Sequence, residues 1–368
     1  MMTRTPRIGV EEEYHLVDPA TRRSAAESTA VLADRRSERL TVELKQTMLE
    51  SRTEPRSDLA AVRAEILRSR QAAIRAAADA ELVVAAAGTL PTSDWHDAEP
   101  TPGRRYDAIG ELGGQVAREA LVCACHVHVA VADPDRAIEV CNRLRPWLPV
   151  LLALSASSPF WRCEDTGFAS YRSIVWGRWP VSGLPPTFTS AAHYDHTLEE
   201  LVATGVIIDP KQAYWDVRPS AKQPTVEFRI ADVCTFVDDA VLQAALARAL
   251  VVTAEREAVE GHPVPTPAPG ILAAARWRAA RFGLVDELVD VGGGGRVAAA
   301  KAVRQLVDHV SSALADAGDL AVVEELVDAV LTRGTGAERQ REVYGQTGDL
   351  DDVADHVVAE THGLGLGA

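Results

Sequence analysis

Residues 9–18 read GVEEEYHLVD, and the fold turns on how this stretch is read. As a β-strand it has two faces, because alternate side chains point the same way. Val10, Glu12, Tyr14 and Leu16 form one face, which can pack on a core. Glu11, Glu13 and His15 form the other. Two carboxylates on one face of a strand stand about 7 Å apart along the backbone. Like charges this close raise each other's pKa, and a divalent cation between them removes the conflict. Hard oxygen ligands of this kind suit Mg²⁺, which binds through a few carboxylates plus substrate phosphates. A run of glutamates is also what a solvated edge strand shows, so the metal reading needs support elsewhere.

A second acidic stretch, residues 40–54, reads LTVELKQTMLESRTE. Glu43 and Glu50 are seven apart. A single strand would place them on opposite faces, and a helix would place them on one, two turns apart. The pattern alone leaves both open. Residues 121–131, LVCACHVHVAV, alternate cleanly. Val122, Ala124, His126, His128 and Ala130 share a face, backed by a wholly apolar one. Two histidines on one face of a buried strand need partners, either neighbours or a ligand. Residues 213–219 and 225–233 read as a strand pair, with Glu227 and Arg229 sharing a face backed by Val226, Phe228 and Ile230.

Between these stretches lie helices and loops. Residues 58–80 are helical, with Ser57 or Asp58 at the cap. Residues 82–87 are a short buried strand, and 91–105 a loop. Residues 133–157 are helical, kinked or split by Pro146 and Pro149. Residues 160–186 carry three Trp, three Gly, three Pro and the cations Arg162, Arg172 and Arg178. A segment this long and irregular suits a binding loop or lid. Residues 196–203 form a short helix, and 238–260 a long one capped by Asp238. A Pro-rich stretch at 262–270 marks a boundary. Beyond it the chain is helical, with helices at 296–314, 320–333 and 350–360. Gly292 to Gly295 are read as a turn, since no P-loop Lys follows.

The chain has 368 residues, 47% hydrophobic and 25% charged, ample for a core. Length allows two domains or one large α+β domain. A net charge of −15 argues against nucleic acid or an anionic membrane as partner. Five cysteines without a CxxC pair fit reduced thiols and a cytoplasmic protein. No signal peptide and no membrane span is expected. There is no GxGxxG after a strand, and no Ser or Cys with an evident base. Glu11/Glu13, Glu43/Glu50, His126/His128 and Glu227/Arg229 converge on the floor of a phosphate-handling, Mg²⁺-dependent site.

These motifs, in this order, resemble the glutamate–cysteine ligase type 2 family of carboxylate–amine ligases. The matching stretches are 9–18, 43–54, 86–91 (AAGTLP), 126–129 (HVHV), 155–161 (SASSPFW), 165–180, 215–219 (WDVRP) and 226–232 (VEFRIAD). The resemblance implies a single domain over 1–368, with a sheet core and active site in 1–260 and a mainly helical part in 261–368. It implies a glutamine-synthetase-like fold, a curved antiparallel sheet with helices on its convex side and ATP and Mg²⁺ on its concave side. It implies that ATP phosphorylates a carboxylate, usually the γ-carboxylate of glutamate. An amine, usually that of cysteine, then attacks the acyl phosphate to give an amide, ADP and phosphate. Glu11, Glu13, Glu50 and Glu227 would be metal ligands, with Glu43 a further metal or cofactor contact. His128 would touch metal or nucleotide phosphate, Arg229 the transferring phosphate, and Arg172 and Arg178 the substrate carboxylate. Other readings are a guanidine or amine kinase on the same fold, or a nucleotide-binding protein without catalysis. The long helices leave room for a homodimer interface.

Overall fold

The computed structural model describes residues 5–33 and 39–363. Its centre is an antiparallel sheet of seven strands. In chain order these are β1 (Ile8–Val17), β2 (Leu40–Val42), β3 (Met48–Arg52), β4 (Val83–Ala85), β5 (Ala124–Ala130), β6 (Val217–Pro219) and β7 (Thr225–Asp232). Across the sheet they run β6-β7-β5-β1-β3-β2, with β4 pairing the C-terminal end of β1 on the edge opposite β3. The opening glutamate strand is therefore central.

The two faces differ as the alternation requires. Ile8, Val10, Val127, Val129, Val226 and Phe228 belong to one large core. Helices cover this face, among them α1 (Leu59–Ala78), which supplies Leu59, Val62 and Ile66, and α3 (Val237–Val259). Between them in the chain lies the short helix α2 (Tyr171–Trp176). Ile66 is fully buried between helix and sheet. Ile66→Val should therefore lower stability by about 1 kcal/mol, read from the denaturant midpoint.

Several expectations need correction. Residues 40–54 are a hairpin, neither one strand nor a helix. Glu50 stands opposite Thr41 and Val42 opposite Leu49. Partners in an antiparallel pair share a face, so Glu43, two residues past Thr41, falls on the side of Glu50. The odd separation of seven is what a tight hairpin produces. Asp238 does not cap α3. Phe236 holds the N-cap position without a side-chain cap, and Asp238 pairs with Arg63 at 2.6 Å. The region after residue 270 is not all helical. Glu287–Val289 and Arg296–Ala298 form a hairpin, with Gly294 and Gly295 at φ of 80° and 79° in its turn. That conformation favours glycine. The rest of this region is helical as expected, and Gly336–Thr347 adds a helix to the three named. The loop at 160–186 contains a two-residue β-hairpin turning at Arg162 and Cys163, followed by α2. The Pro-split helix is found as Pro134–Leu144 and Leu148–Ser155.

Candidate active site

The uncovered face of the sheet floors a cleft of about 430 Å³. Strand register lays the polar residues across it in rows. Arg218 faces Glu227, Glu227 faces His128, His126 faces Glu11, and Glu13 faces Glu50. All of these line the cleft, with Glu43 and Arg229. His15 continues the same face but is fully buried beyond the cleft, and burial pulls its pKa down to about 4.

Ligand atoms of Glu11, Glu50 and His126 lie within 4.8 Å of one another, and so do those of Glu13, Glu43 and Glu50. The acids carry the electrostatic mark of this crowding. Burial, with Glu43 next to it, pushes the Glu13 carboxyl up to about 8. Burial and then Glu11, Glu43 and Glu13 hold Glu50 well above the usual range. Glu43 is raised by burial. Glu11 differs. Burial opposes its ionisation, but His126 at 3.7 Å and His128 at 3.5 Å outweigh burial and hold it well below its ordinary value. A second oxygen contact fixes Glu13, which accepts the Ala124 amide at 2.7 Å.

Glu227 is settled by cations on both sides. Arg218 grips it bidentately at 3.1 and 3.2 Å, and Arg229 also pairs with it. Against burial, Arg229 and Arg218 keep it ionised. Burial, then Arg229, pulls His126 down to about 4, so it is a neutral imidazole. The buried Nε2 atoms of His126 and His128 and the Nε of Arg229 have no hydrogen-bond partner within the protein. Unpartnered polar atoms and repelling carboxylates on one surface are costly unless a ligand meets them. Oxygen donors in this number fit Mg²⁺.

Two of the residues singled out from sequence are elsewhere. Arg172 does not line the cleft. It is buried beside the C-terminal end of β7, 3% exposed, donating to the Ile230 and Arg229 carbonyls at 3.2 and 3.1 Å. Arg178 lines a neighbouring hollow and pairs with Glu119. Conversely, the cleft takes in residues that the sequence reading passed over. Tyr106, Trp176 and Tyr214 build an aromatic wall, with the last two ring centroids 4.7 Å apart. Arg52, Arg105, Lys211 and Lys222 add cations. Of these, Arg52 and Trp176 fall within quoted motifs. Arg105 and Lys211 come from segments without periodicity or motif, so nothing local flagged them.

Comparison with known proteins fits this geometry. The sequence profile described as "Glutamate-cysteine ligase family 2(GCS2)" matches residues 7–356. A Frankia alni protein named "Putative glutamate--cysteine ligase 2-2" is 45% identical over 96% of this chain and 96% of its own length. A Streptomyces avermitilis relative whose name ends in 2-1 is 46% identical, over 97% of this chain and 99% of its own. Among solved structures, the glutamate–cysteine ligase of Francisella tularensis in complex with AMP aligns with a TM-score of 0.73. It is 13% identical, over 98% of this chain and 90% of that one. A bifunctional glutathione synthetase from Pasteurella multocida aligns with a TM-score of 0.71 and 16% identity, over 98% of this chain and 52% of its own. The family match and these relatives define the class, a ligase that joins a carboxylate to an amine. More narrowly, the chain belongs to glutamate–cysteine ligase family 2. No helix among the described residues is long and apolar enough to cross a membrane.

Proposed function

We propose that this enzyme uses Mg·ATP to phosphorylate the γ-carboxylate of glutamate and passes the acyl group to the amine of cysteine or another amino compound. The observation that carries the reading is one face of one sheet presenting Glu11, Glu13, Glu43, Glu50 and Glu227 beside Arg229. Mg²⁺, held by Glu11, Glu13, Glu43 and Glu50 with Glu227 beside them, would neutralise the ATP phosphates and draw charge from the γ-phosphoryl group. Arg229 grips the transferring phosphate, a role suited to a guanidinium that is always charged. Glu227 orients it by pairing with it, and Arg218 in turn holds Glu227. His128, whose Nδ1 lies 3.1 Å from the Thr225 hydroxyl, presents its other nitrogen to the cleft as a phosphate contact. The carboxylate oxygen of the substrate attacks phosphorus and ADP leaves. The amine then attacks the acyl carbon and phosphate leaves. The free thiols fit a reducing, cytoplasmic setting, since all five cysteines are unbridged.

The test is phosphate release from Mg·ATP with glutamate and a panel of amines, with products read by mass. Release that needs both glutamate and one amine, with the matching γ-glutamyl amide, is the expected result. A phosphorylated amine without free phosphate would instead make the enzyme a kinase. Nucleotide binding without turnover for any pair would leave only a binding protein.

A further inference from the structure

Four of the motifs that mark this chain supply residues that never reach the cleft. Residues 86–91, 155–161 and 165–180 contribute Gly88, Ser157, Ser158, Ser170 and Arg172, and strand β7 ends in Asp232. They meet at the C-terminal end of β7, where Asp232 stands opposite Ala124 on the face that carries His126 and His128. Asp232 is fully buried and accepts from the Ser157 amide at 3.0 Å, the Ser158 hydroxyl at 2.6 Å and the Ser170 hydroxyl at 2.7 Å. The Ser158 oxygen also accepts the Arg172 amide at 3.0 Å. The chain at Gly88 runs so close that a Cβ there would sit 2.8 Å from Asp232.

Just before this knot, β7 loses register. Phe228 pairs with Val127 and Ala231 pairs with Cys125, so Arg229 and Ile230 together stand opposite the single residue His126. A bulge of this kind bends a strand and re-aims a side chain. The carbonyls of those two residues are the ones that Arg172 takes. Its guanidinium lies 3.8 Å from Asp232. The other end of the bulge is tied by the Arg229 amide, which donates to the Asp216 carbonyl at 2.8 Å.

We propose that Arg172 is a positioning residue, a buried brace that holds the β7 bulge so that Arg229 points into the acid cluster. It acts through Arg229 and touches no substrate. Asp232 and its serine donors fix the brace in turn. A planar guanidinium can meet two adjacent carbonyls with two separate nitrogens, which an ammonium cannot. This role deepens the ligase reading and rests on it for its kinetic part.

The experiment compares the wild type, Arg172→Met, Arg172→Lys, Arg229→Met and the Arg172→Met/Arg229→Met pair, each checked for folding by circular dichroism. Arg172→Met should lower kcat about 10–100-fold, the usual cost of losing an outer support. KM for the carboxylate substrate should move less than about threefold. Arg172→Lys should fall between it and the wild type. In the Arg229→Met background, Arg172→Met should change kcat by less than about threefold, because the two act as a unit. Amide exchange at residues 228–231 should speed up in Arg172→Met more than elsewhere in the sheet. A rise in KM at steady kcat would overturn the proposal in favour of direct substrate contact. Additive effects of the two substitutions would overturn it too, as would unchanged exchange at the bulge. If Arg172→Met does not fold, Arg172→Lys carries the same comparison. Should the wild type turn over no acid and amine pair, the ligase reading fails, and bulge exchange alone still decides the brace.

Discussion

Glu50→Gln is expected to destroy turnover and, at the same time, make the ligand-free protein more stable. The activity loss follows from removing charge where ATP phosphates must be held, and should reach about 10²–10³-fold in kcat. Glu13→Gln should behave alike. The gain in stability follows from the crowding in the cleft, where Glu13 is pushed up to about 8 and Glu50 well above its ordinary value. A carboxyl whose pKa is raised by folding destabilises the folded state wherever it must ionise. For Glu13 that cost begins as pH rises past the unfolded value of 4.5 and is complete above about 8. The melting temperature of the ligand-free wild type should therefore rise on acidification from pH 8 towards 5. In Glu13→Gln that slope should shrink. Added Mg²⁺ should flatten it in the wild type. Differential scanning fluorimetry across this range, with and without Mg²⁺, reads all three. A double variant, Glu13→Gln/Glu50→Gln, that kept full turnover would remove the acids from the chemistry altogether. Activity here is obtained at the expense of local stability, a trade common at functional sites.

The largest effect on folding should come from Arg70. This side chain of α1 is 2% exposed and pairs with Glu12. It also donates to the Thr235 carbonyl at 2.5 Å and the Cys234 carbonyl at 2.8 Å. One guanidinium thus ties α1 to β1 and to the chain leaving β7. Glu12 in turn accepts from the Tyr14 hydroxyl at 2.7 Å. Arg70→Met leaves a buried carboxylate and two carbonyls without their cation, which costs about 3–5 kcal/mol. That is a large share of the stability of any domain. Arg70→Met/Glu12→Gln should recover part of it, since the uncompensated charge is then gone. Urea denaturation of the three proteins measures both figures. Equal stability of Arg70→Met and wild type would mean that the pair is not holding these segments together.

Much of this was legible in the chain. Strands β1, β5 and β7 are long and largely alternating, and apart from Glu12 the charges up to Arg229 share one face. Such strands declare both their structure and their polar face, so Glu11, Glu13, His126, His128, Glu227 and Arg229 could be brought to one surface before any coordinates. The helix over α1 was equally plain, from its Ala content and its Asp58 cap, whose side chain accepts the Ala61 amide. What stayed hidden depends on contacts between distant segments. Glu12 sits on the otherwise apolar face of β1, and Arg70, the partner that explains it, lies 58 residues away. The hairpin that unites Glu43 and Glu50 has strands of three and five residues, too short for a periodic signal. Arg172 looked like a substrate contact because a cation in a Trp- and Gly-rich loop has no local clue to its depth. The short hairpin after residue 286 was masked by the helices around it.

The three successive glutamates of β1 look interchangeable in a composition count, yet each has a different address. Glu11 meets two histidines in the cleft, Glu12 meets Arg70 in the interior, and Glu13 meets Glu50 back in the cleft. Their identities are set by parity, because shifting a strand by one residue turns every side chain to the opposite side. Such a slip would carry Glu11 and Glu13 into the apolar core and Val10 and Tyr14 into the cleft. The strand therefore tolerates substitution far better than a change in length. The central strand's alignment is guarded by charge as well as by hydrophobicity, and losing a single glutamate codon there would be more damaging than altering any one of the three.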